Sequence, residues 1–126
     1  MNNSDILNQV ERLCGKTTLL ENGWNHFVYH HLHYVNIPDC KNAMIRIVIP
    51  NVCETNLYSE RKIMSAINET NREVPFVKAV LLENRSISLD YDYKIFENGS
   101  AGEIVPHMID SLNAASDYIL RKLLIL

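Results

Sequence analysis

Four of the five histidines, His26, His30, His31 and His33, fall within one short stretch. On a strand, His31 and His33 would project from one face, and a His-x-His pair joined by a third nitrogen, carboxylate or thiolate can hold zinc. His107, Cys40 or Asp39 would have to complete that set, and no local spacing ties any of them to the pair. His31 and His33 therefore stand as metal candidates, beside the plainer reading that they belong to a partly exposed aromatic strand with Tyr29, Leu32 and Tyr34.

Asp90 and Asp92 are the second pair with chemical potential, because two carboxylates held in a cleft can share general acid and base work. They alternate with Leu89, Tyr91 and Tyr93, so period-two geometry turns the aspartates to water and the apolar set to the core. Cys14, Cys40 and Cys53 include no Cys-x-x-Cys pair, and buried thiols are the expectation. The glycines, at 15, 23, 99 and 102, form no phosphate-binding pattern, and no Gly-x-Ser-x-Gly elbow is present. The sequence thus predicts no catalytic residue, no cofactor and no enzyme.

Bulk properties narrow the class. At 126 residues, 47% hydrophobic and 21% charged, the chain suits one globular domain over residues 1–126. A net charge of −3 argues against a nucleic-acid partner, since that affinity rests on Lys and Arg neutralising phosphates. The N-terminal residues lack a basic region followed by an apolar core, and no apolar run is long enough to cross a bilayer. A cytoplasmic protein with no membrane partner is expected.

The elements that must position these residues follow from periodicity. Ser4 or Asp5 is expected to cap a first helix with Ile6, Leu7, Val10, Leu13 and Cys14 on one side. Lys16 to Gly23 is ambiguous between a helix extension and a loop. Trp24 to Val35 reads as one strand, Asn36 to Asn42 as a loop, and Ala43 to Ile49 as a strand ended by Pro50. A helix from Thr55 or Asn56 places Leu57, Ile63, Met64 and Ile67 on one side, with Asn68 and Asn71 capping its end. Phe76 to Leu82 and Ile87 to Phe96 form a hairpin around Glu83-Asn84-Arg85-Ser86, in which Asn84 would take positive φ. Asn98-Gly99 is a turn, Ser100 and Glu103 match a capping box, and Pro106 predicts a kink or a late start to the last helix. That helix carries the stripe Val105, Met108, Ile109, Leu112, Ala115, Ile119 and Leu123, followed by an apolar tail. The expected fold is α+β, an antiparallel sheet of four to five or more strands with helices in the order α-β-β-α-β-β-α.

Asn68-x-x-Asn71, Pro75-Phe76, the hairpin and the Ser-led final helix together resemble the YbjN-type family, whose members share the fold of type III secretion chaperones. The resemblance is strongest from about Ile63 to Leu123. It implies a domain, often dimeric, that binds protein segments or serves a regulatory role, and it brings no catalytic residue. The expected function is a non-enzymatic, chaperone-like or regulatory module that binds another polypeptide, as a homodimer. The alternative is a small metal- or ligand-binding protein built on His31 and His33.

Overall fold

A computed structural model describes residues 1–96 and 99–124, so the expected turn at Asn98 and the extreme tail, Ile125 and Leu126, lie outside the described residues. The described residues form α1 (Asn3–Cys14), β1 (Thr18–Leu19), β2 (Asn25–Tyr29), β3 (Leu32–Asp39), β4 (Met44–Ile49), α2 (Glu60–Glu73), β5 (Lys78–Leu81), β6 (Ile87–Lys94) and α3 (Ala101–Leu124). The sheet has six strands in the order β1-β2-β3-β4-β6-β5, and every neighbouring pair is antiparallel. The α+β class holds; the first half contains four strands where two were expected.

That difference arises at two turns. His30 and His31 both have positive φ, 50° and 65°, and Tyr29 pairs with Leu32 across them. A two-residue loop with both φ values positive is the hairpin turn that matches the twist of paired strands, so the stretch read as one strand is two. β3 then runs on to Asp39 through the expected loop. A short strand, β1, occupies the ambiguous segment, and Gly23, at φ 88°, closes its turn to β2 by donating to the Leu20 carbonyl.

Helix starts also move. Asn2, rather than Ser4 or Asp5, caps α1, in a reciprocal box with Asp5. Ser59 caps α2, accepting from the Lys62 N–H at 3.2 Å. Leu57 consequently lies outside the helix and is 93% exposed, while Ile63, Ala66, Ile67 and Thr70 face the core. Thr55 is used elsewhere: its hydroxyl donates to the Arg85 carbonyl at 2.6 Å, tying the connection before α2 to the β5–β6 turn. α3 is a single helix through Pro106, with its first turn anchored by the Ile104 N–H on the Ser100 carbonyl. Its predicted stripe is buried throughout.

The core lies between one helical layer and one face of the sheet. α3 packs on β4 and β6, with α1 and α2 on either side of it. Phe27, Tyr34, Ile45, Ile47, Leu89 and Tyr91 point into this layer. Residues directly opposite across strands share a face, so register places Val28, His33, Val35, Ile37, Arg46, Val48, Asp90, Asp92 and Lys78 on the other face. Among the described residues no helix covers that second face.

Candidate functional site

The uncovered sheet face carries the aspartate pair singled out by sequence, Asp90 and Asp92, and His33 of the histidine pair. Arg46 on β4 sits directly opposite Asp92 on β6 and holds it through two hydrogen bonds, one of them 3.1 Å. Asp92 in turn favours the charged guanidinium, raising its pKa. Asp90 accepts from the Ser88 hydroxyl at 2.7 Å and stands opposite Lys78. Each carboxylate is thus engaged with its own donor, and both face away from the core as the alternation predicted. Around them Val28, at 44% exposure, Ile37, Met44 and Val80 supply apolar surface.

The histidines separate. His31 occupies the β2–β3 turn rather than a strand face, so the His31 and His33 pair does not form. His33 instead meets His26 across the hairpin: the Nε2 of His26 lies 2.8 Å from the Nδ1 of His33. The sequence reading missed this pairing because it hid the turn; a two-residue loop at His30-His31 sets His26 and His33 diagonally on one face. His30 stacks on Tyr29 with ring centroids 4.0 Å apart. Among the described residues, no three His, Cys, Asp or Glu side chains converge on a point that could hold a metal ion.

His107 belongs to a different cluster. Its Nδ1 is 2.9 Å from the Tyr91 hydroxyl, and Phe76 lies over Tyr91 and edge-on to His107. Phe76 has φ 68° and is 70% exposed, so β5 begins two residues later than expected. A left-handed phenylalanine carries backbone strain of about 1–2 kcal/mol, which aromatic contacts of this kind can offset. The cluster packs beside β6, and His107 also lines an open hollow of about 370 Å³ with Tyr93, Ser100 and Glu103.

Asn71 was expected to end α2. It lies within the helix, and its side chain reaches the outer edge of β5: Oδ1 accepts from the Ala79 N–H at 2.6 Å and Nδ2 donates to the Ala79 carbonyl at 3.1 Å. Val74 is the C-terminal cap, and the exposed Asn68 is also interior to the helix. In the β5–β6 turn, Arg85, not Asn84, takes positive φ, while Asn84 accepts from the Ser86 N–H.

The thiols differ in exposure. Cys40 is exposed, contrary to the buried expectation, whereas Cys14 and Cys53 are half-buried. Burial, helped by Asp110, pushes the Cys14 thiol up to about 11. Thiolate is the reacting form, so at pH 8 iodoacetamide should label Cys40 at least ten-fold faster than Cys14; mass spectrometry of a time course measures the ratio. Equal rates would contradict the packing of Cys14 beneath α3.

An apolar hollow at the end of the β3–β4 hairpin, lined by Pro38, Cys40, Met44, Ile45 and Ile95, holds about 230 Å³. That is below the roughly 300 Å³ at which small-molecule sites begin. The groove between α2 and α3 is open and contains the Lys122 and Glu69 ion pair, 3.1 Å apart.

Fold and surface together define an α+β protein with one helical layer and one exposed sheet face. No family model matches the chain, and no curated protein matches it.

Proposed function

We propose that this chain is a non-enzymatic protein-binding module, chaperone-like or regulatory, that works in the cytoplasm as a homodimer and engages another polypeptide. The observation that carries the reading is the uncovered sheet face. A sheet layered on one side only leaves Val28, Ile37, Met44 and Val80 without a covering element, and apolar surface of this kind is used by association. The likeness of the second half to YbjN-type domains supports the same reading.

The structure changes which surfaces support it. The apolar stripe of α3 is consumed inside the chain. The sheet edges are poor sites for strand addition: β1 is two residues long, and Asn71 already occupies the outer edge of β5 at Ala79. The face remains. It alternates Lys78, Arg46 and Lys94 with Asp90, Asp92 and Asp39 in adjacent rows. A patch with both signs in balance suits an isologous interface, in which the same surface meets itself.

The proposal predicts a dimer by sedimentation velocity at micromolar concentration. Val28→Lys with Met44→Glu should convert it to monomer with an unchanged far-ultraviolet spectrum. Only monomer in the unmodified protein, or a dimer indifferent to both substitutions, would reject the face as the self-contact. A photo-crosslinker at Ile37 should then link two copies of the chain, whereas one at the helix position Arg61 should not.

A further inference from the structure

We infer that His26 and His33 form a two-imidazole chelate for a divalent transition metal, at the β2–β3 end of the same uncovered face that the proposed self-contact uses and open to solvent in the single chain. The two side chains come from adjacent antiparallel strands, with His26 opposite Val35 and His33 opposite Val28. The sheet therefore fixes their separation before any ligand arrives, which removes much of the ordering cost of binding. Their rings meet edge to edge: planes differ by 22° and centroids are 5.1 Å apart while the facing nitrogens are 2.8 Å apart. Two neutral imidazoles can approach this way only by sharing one proton, one nitrogen donating and the other presenting its lone pair. A cation that takes the place of that proton can be bound by both nitrogens.

The 2.8 Å separation is that of an ordinary hydrogen bond between the two nitrogens; it shows that both can reach one point, and imidazole suits Ni²⁺, Cu²⁺ and Zn²⁺ alike. Binding requires the exposed His33 ring to turn so that both lone pairs aim at one point, and no burial opposes that turn. No third imidazole, thiol or carboxylate joins the pair among the described residues, so water completes the shell. The sequence-derived candidate pair thus gives way to another that shares His33.

The test uses tag-free protein and Ni²⁺, because Cu²⁺ would oxidise the exposed Cys40. Free Ni²⁺ at ten times its dissociation constant should raise the thermal midpoint by about 5 °C. His26→Asn/His33→Asn should remove the rise, whereas His30→Asn/His31→Gly, which changes only the turn, should keep it. In NMR spectra of the unmodified protein, substoichiometric Ni²⁺ should broaden the His26 and His33 ring signals before any other. Absence of a Ni²⁺ shift, an equal shift in the double asparagine variant, or broadening centred on His30, His31 or His107 would overturn the site.

Discussion

Asn71→Ala is expected to cost about 2–4 kcal/mol of unfolding free energy and to make the protein associate through β5. Ala79 is 3% exposed, and both its outward backbone groups are satisfied by this one side chain. A buried backbone group left without its partner costs about 1–3 kcal/mol, and alanine strands both. The carboxamide also does what a seventh strand would do, supplying an acceptor and a donor in the ladder direction. Once it is gone, β5 offers a free edge, a template for another chain. Asn71→Asp should show about half the loss, since it retains the acceptor for the Ala79 N–H but presents an oxygen to the carbonyl. Urea unfolding gives the stability, and light scattering over a concentration series gives the association. A change below about 0.5 kcal/mol for Asn71→Ala would show that water replaces the carboxamide freely.

The role of Asn71 separates what periodicity reveals from what it hides. Asparagine near a helix end reads as a cap because local hydrogen bonds are the commonest use of its side chain. Its real partner is eight residues away on a strand edge, and nothing in the local pattern marks that contact. The buried stripe of α3 and the alternation of β6 were legible for the opposite reason. Each repeats with the period of its own element, so seven residues of α3 from Val105 to Leu123 point inward together. Burial of Leu89 and Tyr91 with exposure of Asp92 came from the same logic. The capping errors at Ser4 and Thr55 have a common source. Asn2 and Ser59 are equally good caps by residue type, and only the packing of Ile6 and Ile63 decides which one is used. The charged and apolar rows of the uncovered face could not be assembled from sequence at all, because they depend on the register of five strands.

The hairpin at His30-His31 was the most consequential feature hidden from sequence, and it yields the second large effect: His30→Asn/His31→Gly should stabilise the protein by about 1–2 kcal/mol. Both positions have positive φ, a conformation that costs an ordinary L-residue roughly 1–2 kcal/mol and that Asn and Gly adopt readily. Asn-Gly is the favoured pair for a two-residue turn of this kind, and its presence would have announced the hairpin. Two histidines announced a strand instead, since aromatic neighbours on both sides continued the pattern. The gain is reduced by loss of the ring contact between Tyr29 and His30, worth about 0.5–1.5 kcal/mol for aromatic pairs. It is also reduced by the greater freedom that glycine gives the unfolded chain. His30→Asn alone should therefore be close to neutral, and His31→Gly should carry most of the change. Thermal and urea unfolding of the single and double variants resolve these contributions. Destabilisation by His31→Gly would show that the imidazole makes a compensating contact in the folded chain, and the hairpin would then owe its turn to that contact rather than tolerate the histidine there.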